Sequence, residues 1–142
     1  NSTAIRELDN FLKYTSAYDL IIGSRALKDS QIKIKQSIFK RILGKAGNLI
    51  IRIMIFSKIY DSQCGFKLFS HKVKPLFEKL TIEDWGFDFE LIFLAKKYSL
   101  KIKELPITWS NNINSKVKGR DYLKTLGQVF KVRFNDLINK YK

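Results

Sequence analysis

The stretch DLIIGSR, residues 19 to 25, decides the fold. Its short apolar run ends at Gly23, a pattern that predicts a buried strand. Residues 4 to 14 come before it and predict a helix, because their apolar residues recur at helical spacing. Those apolar residues are Ile5, Leu8, Phe11 and Leu12. A helix followed by a buried strand is typical of an α/β domain.

The rest of the chain continues this alternation. Hydrophobic periodicity predicts helices over residues 36–59, 71–80, 85–99 and 121–142, and strands over 66–70 and 100–109. Pro106 indicates an edge strand or a strand end, because proline cannot donate to a ladder. Residues 110 to 120 are polar and predict a loop. The last helix has one apolar face, made of Leu123, Leu126, Phe130, Phe134, Leu137 and Tyr141.

Composition limits the classes of protein to consider. The 142 residues, 45% of them hydrophobic, suit one domain with a packed core. The net charge of +14 indicates an anionic partner, which could be nucleic acid, lipid headgroups or a phosphorylated small molecule. Cys64 is the only cysteine, so an internal disulfide is excluded. His71 is the only histidine, which excludes a metal site built on histidines.

The predicted helix over residues 36–59 is rich in basic residues and has two interpretations. It could be a core helix whose lysines and arginines face solvent. It could also lie at a membrane surface, with its apolar side down and its basic residues toward lipid phosphates. The apolar run in it is interrupted by Arg52 and Lys58. No stretch of the sequence approaches the roughly 20 apolar residues that a membrane span needs.

Four polar clusters follow predicted strands or begin predicted helices: residues 23–25, 61–67, 85–90 and 114–116. Ligands of open α/β sheets collect at the carboxyl ends of strands. Arg25 is placed to bind a phosphate in bidentate fashion, although it could equally be a surface arginine. Asp88 and Glu90 are two residues apart, so on a helix they do not share a face. One could point into a site while the other pairs with a cation.

Taken in order, five blocks resemble family 2 glycosyltransferases of the polyprenyl-phosphate (dolichyl-phosphate) branch, which includes glucosyltransferases and mannose synthases. The blocks are IIGSR (21–25), DSQCGFKLF (61–69), WGFDFELIFLAKK (85–97), KELPITW (103–109) and NSKV (114–117). Their spacing also fits, and the second and third blocks are more similar to the glucosyltransferase side. The resemblance covers nearly the whole chain.

The resemblance implies an α/β fold that is the carboxyl-terminal part of a GT-A domain, with a Rossmann-like, mostly parallel sheet and amphipathic interface helices. Residues 1–117 would belong to the catalytic domain, and residues 118–142 would form a basic amphipathic helix. In the family a nucleotide-binding half comes first and ends in a D-x-D motif, which holds Mg²⁺ or Mn²⁺ on the donor pyrophosphate. Residues 1–3 look like what directly follows that motif. The chain alone is therefore expected to be inactive and to contribute no metal ligand of its own.

The resemblance also implies roles for particular residues. The positions expected to act in catalysis are Asp88 and Lys116. Those expected to bind substrate are Arg25, Arg41, Asp61, Gln63, Gly65, Trp85, Glu90 and Ser115. Among them, Arg25, Arg41 and Lys116 would be the cations for the acceptor phosphate and the departing nucleoside diphosphate. Asp88 matches the general-base position of many family 2 enzymes, but a lipid phosphate is already ionised and hardly requires a base. The family's glycine before Ser-Lys is Asn114 here.

On this interpretation the protein moves a hexose, with glucose expected, from UDP-glucose or GDP-mannose to a polyprenyl phosphate, with inversion at the sugar carbon. It would act at the cytoplasmic face of a membrane, on an anionic surface and without nucleic acid. A rival interpretation is a non-catalytic basic module that binds anionic membrane or nucleic acid, the latter with steep salt dependence. A third is a decayed or regulatory half-domain that has lost the D-x-D motif.

Overall fold

The predicted strand over residues 19–25 is the central strand of a three-stranded sheet. The structure is a computed structural model that describes residues 3–32, 38–55, 58–110 and 119–142, with the backbone alone for 38–41, 43, 119, 120 and 122. Strand β1 (Leu20–Ser24) pairs antiparallel with β3 (Lys67–Phe69) and parallel with β4 (Ile102–Pro106). The expected α/β class is therefore confirmed, with a mixed sheet.

Every residue of β1 is buried, which explains its continuous apolar run. Successive side chains of a strand point to opposite faces of the sheet. Leu20 and Ile22 belong to the larger core cluster, whereas Ile21 packs in a second cluster with Phe11. The strand therefore needs apolar side chains on both faces.

Helix α4 (Phe87–Lys97) is the centre of the larger core cluster. Its residues from Phe89 to Ala95 are all buried, so it lacks a solvated face over two turns. It begins after Gly86, where a Cβ atom would lie 2.5 Å from the Gln128 Oε1 atom and 2.8 Å from the Phe89 ring. The expected helix over residues 85–99 is confirmed, with acids in its first turn and lysines in its last.

The amino-terminal helix is shorter than expected. A 3₁₀ turn (Ile5–Glu7) leads into α1 (Leu8–Leu12), and only Phe11 of these two elements is buried. Ile5 is 78% exposed and Leu12 is 52% exposed. The predicted helix is therefore present but shorter, and most of its apolar residues are not buried.

The smaller elements follow the predicted pattern only in part. The predicted strand over residues 100–109 is divided, because β4 ends at Pro106 and β5 (Thr108–Trp109) belongs to a second sheet. Strand β5 pairs parallel with β2 (Gln31–Ile32), a strand that the sequence patterns did not predict. A 3₁₀ turn (His71–Val73) precedes α3 (Lys74–Phe77), and Pro75 lies in the first turn of that helix, where a missing N–H costs nothing. Strand β4 is an edge strand that ends at Pro106, as predicted.

Two long helices, α2 (Ile38–Met54) and α5 (Gly119–Leu137), contact each other. Helix α5 buries Val129, Val132 and Asn135, and the chain after it returns a fully buried Tyr141 to the larger core cluster. Both helices also expose apolar side chains, which are Ile42, Leu49 and Ile53 on α2 and Leu123, Phe130, Phe134 and Leu137 on α5. None of the helices in the described ranges is long and apolar enough to cross a bilayer.

Candidate active site

A cleft of about 800 Å³ opens where β1 ends. Its walls come from the residues after β1, the segment after Tyr60, the start of α4, and parts of α2 and α5. Six of the predicted site residues line it: Arg25, Asp61, Gln63, Gly65, Trp85 and Asp88. Residues that lie far apart along the chain therefore meet at the carboxyl end of the central strand, the position where α/β sheets bind ligands.

Arg25 and Asp61 form a bidentate ion pair on one wall of the cleft. Arg25 Nε donates to Asp61 Oδ2 and Nη2 donates to Oδ1, each over 2.7 Å, and the Arg25 backbone N–H donates to Oδ2 over 2.9 Å. Asp61 is 5% exposed. The guanidinium also lies 5.3 Å from the centre of the Trp109 ring, which lines the cleft. Arg25 is therefore a partly exposed cation whose charge is compensated by Asp61.

A second ion pair lies between Lys67 and Asp88, and both residues line the cleft. Lys67 Nζ donates to Asp88 Oδ1 over 2.7 Å and also to the Cys64 carbonyl. Burial raises the pKa of Asp88 above its ordinary value, and the Lys67 ammonium partly opposes that rise. Sequence reasoning did not assign Lys67 to the site. The available signal was strand alternation, since Phe66 and Leu68 pack against the second core cluster and Lys67 falls between them.

Glu104 is a second residue that the sequence analysis missed. Its carboxylate accepts hydrogen bonds from the backbone N–H of Tyr60, at 3.0 Å, and from that of Asp61, at 2.8 Å. Helix α2 holds the same segment, because Asn48 donates to the Tyr60 carbonyl and the Arg52 guanidinium lies 4.1 Å from the Tyr60 ring centre. The segment that places Asp61 is thus fixed from β4 and from α2. The sequence signal for this role was the position of Glu104, an acidic residue in the middle of a strand that lies beside a buried strand.

The substrate-binding role expected for Glu90 is corrected by the structure. Glu90 is fully buried and lies outside the cleft lining. Its carboxylate accepts hydrogen bonds from Thr81 N, Thr81 Oγ1, Ile82 N and the Tyr141 hydroxyl. Asp88 and Glu90 do point to different sides of α4, as predicted, but Glu90 binds backbone N–H and hydroxyl groups in the core and not a cation.

The remaining predicted residues divide into two groups. Trp85 is 65% exposed, Gln63 and Gly65 are also exposed, and all three line the cleft. A Cβ atom at Gly65 would meet nothing within 4 Å, so the space next to that backbone is open. Ser115 and Lys116 lie outside the described residues, as does Asn114, and the side chain of Arg41 is also outside them.

The described side chains do not fit a metal site. Within the described ranges, no three histidine, cysteine or acidic side chains are arranged to hold a metal ion. The carboxylates of Asp61 and Asp88 are both bound by cations of the same chain. No chemical step is therefore assigned to a metal held by these residues. Among the described cations that line the cleft, Lys45 of α2 is the one without a carboxylate partner, since Arg25 and Lys67 are paired.

Comparison of the sequence with known proteins identifies relatives of the chain. No protein-family model matches the chain. It is 31% identical over 126 residues to the dolichyl-phosphate beta-glucosyltransferase of Dictyostelium discoideum, which covers 87% of this chain and 38% of the relative. It is 32% identical over 124 residues to that of Saccharomyces cerevisiae, covering 85% and 37% respectively. The human protein of the same name is 28% identical over 111 residues, covering 78% and 34%.

The chain thus spans little more than a third of the length of these curated relatives. The matches extend over most of its own residues, and they bear the name of the branch that the ordered sequence blocks resemble. The chain belongs to the dolichyl-phosphate beta-glucosyltransferase family, within the family 2 glycosyltransferases.

Proposed function

We propose that the full-length protein transfers glucose from UDP-glucose to a dolichyl or other polyprenyl phosphate, and that the described cleft is part of its active site. The main support is the convergence of Arg25, Asp61 and Asp88 on one cleft in a chain of this family. The curated relatives are named for glucose transfer to dolichyl phosphate.

The charges of the cleft suit a donor sugar beside an anionic acceptor. Both acids are paired with cations, so the wall made by Arg25, Asp61, Lys67 and Asp88 is close to neutral and suits a hexose. Lys45 extends from α2 into the same cleft as an exposed cation. An acceptor phosphate is ionised at neutral pH and needs positioning more than deprotonation. Lys45 is therefore a further candidate for the cationic set, with Arg41 and Lys116.

A metal would act from outside the described residues. If the donor pyrophosphate binds Mg²⁺ or Mn²⁺, the ion would supply charge neutralisation for the leaving nucleoside diphosphate. Its ligands would come from the D-x-D motif that the family resemblance implies. The residues described here would then bind and orient the sugar and the acceptor.

The test is a transfer assay with the full-length protein, radiolabelled UDP-glucose, and dolichyl phosphate in lipid vesicles with Mg²⁺ or Mn²⁺. We expect label in an organic-soluble product that depends on the acceptor phosphate, so dolichol without phosphate is the control. GDP-mannose replaces UDP-glucose in a parallel reaction. Transfer of mannose alone would overturn the donor assignment, and no lipid-linked product from either donor would overturn the proposed reaction.

We also propose that α2 and α5 seat the protein on an anionic membrane. Each helix exposes apolar side chains at helical spacing, which include Ile53 at 76% exposure and Phe134 at 61%. The chain has a net charge of +14, which complements anionic headgroups. An amphipathic helix with this combination lies in the plane of the interface.

Replacing Phe130 and Phe134 by serine should weaken binding of the full-length protein to anionic vesicles by about tenfold or more, because each ring withdrawn from lipid loses on the order of 1–2 kcal/mol. Sedimentation with vesicles measures the effect. Ile5→Ser is the control, since Ile5 is even more exposed, at 78%, but lies on a different element. Unchanged binding of the double serine variant would show that α5 does not contact lipid.

A further inference from the structure

The ammonium of Lys67 is buried in the cleft wall although the proposed reaction does not by itself require a cation there. The Lys67 side chain is 3% exposed and that of Asp88 is 15% exposed. Lysine is almost never fully buried unless it is paired. Taking both charges out of water is costly, and the cost is offset only by good geometry and further hydrogen bonds. The 2.7 Å contact and the bond to the Cys64 carbonyl meet that condition.

Lys67 joins three segments that form the cleft. It lies on β3, it binds Asp88 in the first turn of α4, and it binds the carbonyl of Cys64 in the segment that follows Asp61. A side chain that bridges these segments fixes where the Asp88 carboxylate lies relative to the Arg25–Asp61 pair. The bond from the ammonium to Oδ1 holds the Asp88 carboxylate in one orientation. That orientation fixes the directions in which Oδ2 can accept a hydrogen bond.

We propose that Lys67 is a positioning residue of the active site: its ammonium holds the Asp88 carboxylate as an anion at the cleft wall, where Asp88 accepts hydrogen bonds from hydroxyl groups of the donor sugar. This inference rests on the proposed function. An ionised carboxylate accepts strong hydrogen bonds from hydroxyls. Because Lys67 and Asp88 neutralise each other, this part of the wall suits the uncharged hexose, whereas Lys45 is the unpaired cation of the same cleft.

The charged groups around Asp88 fix the direction of the expected pH effect. Burial is the main influence and raises the pKa of Asp88, the nearby Asp61 carboxylate raises it further, and Lys67 and Arg25 lower it. Without the Lys67 charge, less opposes the effect of burial on the pKa of Asp88, so that pKa must rise. The carboxylate would then become protonated, and lose its acceptor role, at a higher pH than in the wild-type protein.

The experiment compares Lys67→Met and Lys67→Arg in the full-length protein. For Lys67→Met we expect kcat/KM for UDP-glucose to fall about 10- to 100-fold at neutral pH, and the acidic limb of its pH profile to move up by about one unit or more. Lys67→Arg keeps the charge and should restore the position of that limb. A folded, active Lys67→Met protein with the wild-type limb would overturn the inference.

A double-mutant cycle covers the case in which Lys67→Met folds poorly. Asp88→Asn leaves the buried Lys67 ammonium without its carboxylate, whereas Lys67→Met/Asp88→Asn contains no unpaired charge at this position. The double variant should therefore recover stability relative to either single variant. If Lys67 acts through Asp88, the double variant should be no less active than Asp88→Asn alone. Additive losses of activity would overturn the proposal.

A spectroscopic measurement separates this inference from the proposed function. The carboxyl group of Asp88 can be titrated by NMR of ¹³C-labelled aspartate, with Asp88→Asn to assign the signal. We expect the titration to move to higher pH in Lys67→Met and to stay in place in Lys67→Arg, whether or not the protein transfers glucose. An unmoved titration in Lys67→Met would overturn the role of Lys67 in holding the Asp88 carboxylate. A wild-type protein without transfer activity would instead overturn the proposed function, and with it the binding of a donor sugar by Asp88.

Discussion

Replacing Asp61 by asparagine is expected to lower kcat/KM of the full-length protein by about a hundredfold or more, because small displacements of positioning groups cost about that much. An asparagine can accept one hydrogen bond through its carbonyl, but it cannot balance the Arg25 charge or accept the two parallel bonds of 2.7 Å. Arg25 would then be a partly buried cation without a counter-ion, and it would move toward water.

The same substitution should reduce stability, because removing one partner of a buried pair costs about 3–5 kcal/mol, and less where one partner is partly exposed. The Arg25 side chain is 32% exposed, which places the expected loss at the low end of that range. Asp136→Asn is the matched control, since Asp136 pairs with Lys97 and Arg133 at the surface and its loss should cost about 1 kcal/mol or less.

Two measurements distinguish a role in the reaction from a role in folding. Thermal unfolding reports the stability of each variant, and kcat/KM at a temperature where both variants are folded reports the reaction. Asp136→Asn should leave kcat/KM close to the wild-type value. If Asp61→Asn loses stability but keeps the wild-type kcat/KM, the Arg25–Asp61 pair is structural and the cleft assignment is wrong.

The central strand could be predicted from the sequence because its physical signal is local. Residues 20–22 form an apolar run that ends at a glycine. Such a run is compatible with any sheet that is covered on both faces. The divergence of Asp88 and Glu90 could be predicted for the same reason, since helix geometry fixes it. Which of the two faces the cleft could not be predicted, because that depends on how α4 packs against residues that are distant in sequence.

The charged anchors show where local patterns are insufficient. Lys67 and Glu104 each lie in a strand, and a charged residue in a strand can face solvent or a buried partner with equal local propensity. Their partners, Asp88 and the backbone of Tyr60, are 21 and 44 residues away. The pairing register decides which neighbour each side chain meets, and a single sequence does not specify it.

Helix α5 shows a different limit. Its most apolar face, with Leu123 at 73% and Phe130 at 60% exposure, points away from the core, whereas Val129 and Val132 are buried. Hydrophobic periodicity identifies an apolar face, but it does not say whether protein or another apolar medium covers that face. The predicted face is correct for its members on the helix, but Tyr141 lies beyond the end of α5 and packs in the core instead.

Replacing Glu90 by alanine is expected to lower the free energy of unfolding by about 3–5 kcal/mol, since it leaves several buried donors without an acceptor. Those donors are the backbone N–H groups of Thr81 and Ile82 and the hydroxyls of Thr81 and Tyr141. Glu90→Gln keeps one acceptor oxygen but presents an amide N–H₂ to groups that are themselves donors, so it should recover only part of the loss. Glu78→Ala, at an exposed position, is the control and should change stability by about 0.5 kcal/mol or less.

The Tyr141 hydroxyl provides an independent test of the same network. Burial and the bond to Glu90 raise the pKa of Tyr141 to about 12, so the phenol stays protonated in the folded protein when an unfolded tyrosine would already ionise. The stability from this bond is therefore fully present below the ordinary tyrosine pKa and is lost as the pH rises through the folded value. Tyr141→Phe should remove that alkaline loss along with about 1–2 kcal/mol of stability at neutral pH. Chemical denaturation at neutral and alkaline pH measures both effects, and an identical alkaline loss in Tyr141→Phe would show that Glu90 does not hold the phenol in solution.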